Sequence, residues 1–138
     1  MVASAAVQHD MDTSPLGDPA GMISGINLVY LPAHEGLSDF IAARARELGI
    51  TLHRGVIASG DQFISGKAEK DRIREQFGAS ACEMEGASVA HVCYVNNVPF
   101  AVLRSISDGG DDGAATDYAA FAKSAAEKSA KIIKGAFS

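Results

Sequence analysis

The stretch ACEMEGASVAHVCYVNNVPFAVLRSISDGGDD, residues 81–112, decides the fold. It opens with a short strand-like run that ends in Glu83 and Glu85. A helix-like segment over 86–96 follows, and a second apolar run over 98–106 ends at Ser107, Asp108 and the pair Gly109-Gly110. Strand, helix and strand within about 30 residues make a βαβ unit, and such units gather functional groups where strands end and loops begin. Glu83, Met84 and Glu85 stand at one such end; Arg104, Ser107 and Asp108 stand at the other. Both clusters can face one pocket.

The same alternation extends outward. Residues 1–25 read as loop, punctuated by Gly17, Pro19, Gly21 and Gly25, and a weak strand over 26–31 stops at Pro32. Leu37, Phe40, Ile41, Ala45 and Leu48 recur at helical spacing, so a helix is expected over 38–48 with Gly49 just past its end. The run over 51–59 reads as a strand whose Val56, Ile57 and Ala58 are covered on both faces. A charged helix over 68–77 ends at Gly78, a strand is expected over 79–84, and a last helix over 116–136. Strands alternating with helices predict an α/β fold with a mostly parallel sheet, its buried strands including 55–59 and 100–106. Residues 1–138 read as one domain, a length sufficient for a real core.

Composition excludes several classes. Hydrophobic residues are 47% and charged residues 21%, the balance of a folded globular chain. A net charge of -5 argues against a nucleic-acid partner, which needs a basic patch. No apolar run approaches the roughly 18 residues of a membrane span, and MVASAAVQHD lacks the basic start and apolar centre of a secretory signal. Cys82 and Cys93 have neither metal nor disulfide-framework spacing and read as buried thiols in a reducing, cytoplasmic compartment. His9, His34, His53 and His91 show no metal-ligand spacing either.

Local chemistry leaves two readings at most positions. Asp108, between an apolar run and two glycines, fits an aspartate capping a turn better than it fits a partly buried general acid. Glu83 and Glu85 share one strand face by the period-2 rule, either as a solvated strand end or as acceptors for vicinal hydroxyls. Phe63, in the loop SGDQFISGK over 59–67, is a core plug or a stacking platform for a flat ring. That loop fails as a phosphate loop: its glycines are one residue too far apart, and Ala68 stands where a hydroxyl should hold magnesium.

The segments GVIASGDQFI (55–64), ACEMEGASVAHVCYVNNVPFAVLRSISD (81–108) and YAAFAKSAAEKSAKII (118–133) resemble the C-terminal part of 5′-methylthioadenosine/S-adenosylhomocysteine nucleosidases, members of the purine nucleoside phosphorylase superfamily. SAAVQHDMDTSPLG (4–17) is similar to the loop that follows the family's central strands, so the likeness covers nearly the whole chain. The resemblance implies a three-layer α/β/α phosphorylase/hydrolase-like fold with a mixed, mostly parallel sheet. It implies hydrolysis of the N-glycosidic bond of methylthioadenosine or S-adenosylhomocysteine in methionine salvage. Adenine leaves, and the methylthioribosyl or homocysteinyl ribosyl group remains. No metal or organic cofactor is implied.

Carried over by position, the resemblance makes Asp108 the general acid at adenine N7 and Ser107 the residue that orients it. Phe63 becomes the stacking aromatic and the Ile64 backbone the reader of the purine edge. Met84 and Glu85 become ribose contacts, with Glu83 and Arg104 in the same substrate-binding set. Tyr118 and Phe121 fall where the family closes its pocket. Members of the family carry upstream a strand, a glycine-bearing loop and a glutamate that activates water, none of which has a counterpart in these residues. The expectation is a self-associating homo-oligomer that pairs through the loop around His9 and Leu16 and turns over substrate poorly by itself. The alternatives are a purine nucleoside phosphorylase and a non-catalytic, adenine-binding remnant.

Overall fold

A computed structural model describes residues 1–106 and 118–136, the side chains of 118–121 excepted. The described residues form a four-stranded sheet in the order β2-β1-β3-β4. Its strands are β1 (Val2–Gln8), β2 (Leu31–Pro32), β3 (Arg54–Ser59) and β4 (Ala79–Glu83). The pairs β1–β3 and β3–β4 are parallel and β2 is antiparallel to β1, so the sheet is mixed and mostly parallel as expected. Four α-helices accompany it: α1 (Glu35–Glu47), α2 (Lys67–Phe77), α3 (Gly86–Val95) and α4 (Tyr118–Ala136).

Both faces of the sheet are covered. Ala6 of β1 packs with Ala87 and Ala90 of α3, Leu31 and Phe100 on one face. The next residue, Val7, packs with Ile73 and Phe77 of α2, Ala58 and Ala79 on the other. Alternation of side chains across a strand makes this division inevitable. A third cluster joins Ile41 and Ala45 of α1 to Ile132 of α4. The layering is α/β/α. No helix of the described residues is long and apolar enough to cross a membrane.

Two expectations are overturned. Residues 2–8 are a central strand and not loop: Val2, Ala3, Ala6 and Val7 are all buried. The run VASAAV is apolar on both faces, as a strand sheltered by helices on either side must be, but its alanines carry little strand signal. Conversely, 98–106 forms no strand. It meets β1 at a single antiparallel bridge, Val2 with Leu103. Ala5 and Ala6 of the same β1 edge are already paired to β2. Only the first residues of β1 are left for the Ala3 N–H to Val102 C=O and Arg104 N–H to Met1 C=O bonds, both 2.9 Å. Pro99 supplies no N–H of its own.

Smaller differences are local. The weak strand expected over 26–31 shrinks to Leu31–Pro32, and that expected over 51–59 begins at Arg54. Helix α1 starts three residues before the expected 38, because the His34 ring accepts the Leu37 N–H and caps it. Its apolar stripe is only partly inside: Ile41 and Ala45 are buried, Phe40 and Leu48 exposed. Cys82 and Cys93 are free thiols and half-buried. Ser107 and Asp108 lie outside the described residues, as do the side chains of Tyr118 and Phe121.

Candidate active site at the strand ends

β1, β3 and β4 finish side by side at Gln8, Ser59 and Glu83. Parallel strands present their carboxyl ends together, and α3 begins immediately after β4 with its N-terminus at the same place. The first N–H groups of a helix have no partner within it. Here Gly86 N–H donates to the Glu83 carboxylate at 2.9 Å, and Ala87 N–H donates to the Ser59 hydroxyl at 2.7 Å. Ser59 in turn donates its hydroxyl hydrogen to Glu83. A Cβ at position 86 would stand 3.1 Å from a Glu83 oxygen, tighter than an ordinary contact, so a side chain there would press on the carboxylate that caps the helix.

Arg104 closes the group. Its guanidinium lies 2.8 Å from Glu83 and 2.5 Å from Glu85. The two carboxylates were expected to share a strand face. They do not: Glu83 ends β4, while Glu85 is already the cap residue of α3. Their surroundings differ accordingly, with the Glu83 side chain 7% exposed and that of Glu85 65% exposed. Glu83 has its oxygens engaged inside the protein. Glu85 is steered by Arg104 and keeps acceptor capacity toward solvent.

The residues around this triple are open. Met84 is exposed beside it. Phe63, on the loop between β3 and α2, has 78% of its surface exposed, while Ile64 next to it packs against the cluster of Val7, Ile73 and Phe77. So the aromatic is no core plug, and its neighbour anchors the loop. Among the described residues no group of three His, Cys, Asp or Glu side chains could hold a metal ion. Burial pushes the Cys82 thiol up from its ordinary value, with Lys70 working in the opposite direction.

The structure thus brings together Glu83, Met84, Glu85 and Arg104, as the two ends of the deciding stretch suggested. Sequence reasoning missed Ser59 and Gly86, which hold the helix onto the strand ends, and it missed His9 at the end of β1. For Ser59 the signal was available: a hydroxyl at the last residue of a buried strand, next to a glycine.

The chain matches the Phosphorylase superfamily over residues 1–138. It is 45% identical over 134 residues to the aminodeoxyfutalosine nucleosidase of Helicobacter pylori, covering 97% of this chain and 58% of the relative. It is 35% identical to a 5′-methylthioadenosine/S-adenosylhomocysteine nucleosidase of Haemophilus influenzae, covering 92% of this chain and 55% of the relative. Among solved structures, the 5′-methylthioadenosine/S-adenosylhomocysteine nucleosidase of Campylobacter jejuni superposes with a TM-score of 0.92 at 40% identity, over 98% of this chain and 58% of that one. A mutant of the Helicobacter pylori enzyme with 5′-methylthioadenosine in its active site superposes at 0.89 with 42% identity, over 98% of this chain and 58% of that one. The chain therefore spans a little under three fifths of the length of these relatives. The fold shared with these solved structures and the family match over residues 1–138 agree: this chain belongs to the phosphorylase superfamily.

Proposed function

We propose that this protein is an N-ribosyl hydrolase that releases adenine from a 5′-substituted adenosine. The observation that carries the reading is the pair Glu83 and Glu85 on one arginine. The buried carboxylate fixes Arg104, and Arg104 holds the exposed Glu85 where it can accept hydrogen bonds from two vicinal hydroxyls. Phe63 supplies an exposed flat face on the neighbouring loop. In this reading Glu85 and Met84 take the ribose, Phe63 stacks on the purine, the Ile64 backbone reads its edge, and Tyr118 and Phe121 close over it.

Asp108 is the proposed acid and Ser107 its orienting neighbour. As the C1′–N9 bond breaks, its electron pair enters the purine, and a proton delivered to N7 neutralises the leaving adenine. Water adds at C1′ and releases one proton to solvent, and solvent returns one to Asp108, so that one water is consumed and the acid is restored. Positive charge grows on the sugar ring in the transition state, where the nearby Glu85 carboxylate also stabilises it.

Relatives at 41–45% identity are named aminodeoxyfutalosine nucleosidases and those at 35–36% methylthioadenosine/S-adenosylhomocysteine nucleosidases. All three nucleosides are therefore candidate substrates, with aminodeoxyfutalosine first. The superfamily's name keeps phosphorolysis as the second reading. Adenine release is measured on each substrate with and without phosphate. Release that needs no phosphate supports the hydrolase; strict dependence on phosphate makes it a phosphorylase; adenine binding without release makes it a non-catalytic binder. Asp108→Asn is expected to lower turnover about 10²–10⁴-fold with adenine affinity nearly unchanged. Self-association is proposed as well, since Leu16 stands 84% exposed on the turn after β1; sedimentation at micromolar concentration tests it, and a monomer there refutes it.

A further inference from the structure

Among the described residues, His9 is buried with neither ring nitrogen hydrogen-bonded. Only 6% of its surface is exposed. A buried polar group without a partner costs roughly 1–3 kcal/mol, so its presence asks for a compensating role.

The ring stands against the backbone of Gly60. A Cβ at that position would lie 2.4 Å from Nε2 of His9, 2.7 Å from its Cε1 and 2.8 Å from Oδ2 of Asp10. Gly60 is not among the glycines in the left-handed region. What excludes a side chain there is the imidazole with its neighbour Asp10, and not the backbone conformation. Hydrogen bonds tie three strand ends at the same height. His9 N–H donates to Ser59 C=O at 3.0 Å, Gly60 N–H to Glu83 C=O at 3.2 Å, and Asp61 N–H to the Asp10 carboxylate at 2.7 Å. From this point the chain leaves for the loop that carries Phe63 and Ile64. One residue earlier, Ser59 holds Glu83 and the start of α3.

We propose that His9 is a positioning residue for the candidate site. Its ring acts by shape as a wedge at the end of β1, fixing the Gly60–Asp61 turn and, through it, the placing of the Phe63 loop and the Ser59 hydroxyl. Among the described residues neither ring nitrogen has a hydrogen-bond partner, and the contact the ring does make is the close one against Gly60. The consequence for adenine binding rests on the function proposed above; the wedge itself does not.

The test compares Gly60→Ala, His9→Ala, their double variant and His9→Leu, which keeps volume while deleting both nitrogens. Hydrogen exchange at the Asp61 amide reports the turn, exchange at Ala6 and Ile57 in the buried strands reports global opening, and titration with adenine reports the loop. Gly60→Ala is expected to lower Asp61 protection about tenfold, since contacting pairs couple on that scale, without a matching fall at Ala6 and Ile57. With the ring gone, adding Gly60→Ala to His9→Ala is expected to lower Asp61 protection no further than His9→Ala does alone, because the Cβ then meets no imidazole. His9→Ala loosens Asp61 and weakens adenine binding about tenfold, whereas His9→Leu keeps both within about twofold, as volume-conserving swaps do.

A double variant in which Gly60→Ala lowers Asp61 protection as much as it does with His9 present, or a His9→Leu variant as loose as His9→Ala, overturns the proposal. The His9 pair decides even if Gly60→Ala does not fold. Should the unaltered protein bind no adenine, the proposed function fails, and the exchange pattern still decides on His9.

Discussion

Replacing Glu83 with glutamine keeps the side chain's shape and removes its charge where β3, α3 and Arg104 meet. The carboxylate now only accepts: Gly86 N–H at 2.9 Å on each oxygen, the Ser59 hydroxyl, and Arg104 at 2.8 Å. Glutamine has a single oxygen, so whichever way its amide turns, an NH₂ group faces a donor. Hydrogen bonds to a charged group contribute about 1.5–3 kcal/mol each, and an anion at a helix N-terminus about 0.3–1 kcal/mol. The glutamine oxygen keeps one donor, and the Ser59 hydroxyl can turn to accept from the amide NH₂, so one bond to a charged group and the cap charge are lost, about 2–4 kcal/mol together. The about 3–5 kcal/mol of a fully buried broken pair is a ceiling, because Arg104 is partly exposed and keeps Glu85. Urea unfolding measures the loss, as a fall in midpoint with unchanged slope. In the same assay Glu85→Gln, on the same arginine but 65% exposed, is expected to cost less than about 1 kcal/mol. Equal losses for the two variants, or less than about 1 kcal/mol for Glu83→Gln, would show that burial and capping are not what separates these carboxylates.

Two further outcomes follow from the packing. Ile73 is fully buried between α2 and the sheet, so Ile73→Ala should lower stability by about 2–5 kcal/mol in urea unfolding; a loss under about 1 kcal/mol would mean that the cavity collapses. Burial raises the Cys82 thiol. A raised folded value adds stability that is present at low pH and is lost as pH climbs through it. Cys82 should therefore alkylate more slowly than a free thiol at neutral pH, and its rate should rise only at higher pH, which mass spectrometry of iodoacetamide adducts can follow; a rate equal to that of free cysteine would contradict it.

The elements whose signals are local were legible in the chain. α2 and β4 lie within a residue of their expected bounds because Gly78, in a left-handed conformation with φ 59°, stops the helix where the sequence says it must. α3 fits between β4 and Asn97 for the same kind of reason, its short apolar run being bounded by glycine and asparagine. The deciding stretch also carried the family, and Glu83, Met84, Glu85 and Arg104 with it.

Other features depended on partners far along the chain. Whether 98–106 becomes a strand was settled by competition for one edge of β1, since β2 occupies Ala5 and Ala6 and leaves room for a single bridge. Strand pairing is a property of two segments, and neither sequence alone states who gets the edge. Likewise VASAAV looks unremarkable until helices cover both its faces. The different surroundings of Glu83 and Glu85 arise because β4 ends at Glu83 and α3 begins at Gly86, so that Glu83 turns inward to accept the helix's first N–H while Glu85, just before the helix, is left to solvent. His9 is the clearest instance: its residue type reads as polar loop. Only the approach of Gly60, 51 positions away, shows it buried at the end of a central strand, without a hydrogen-bond partner among the described residues.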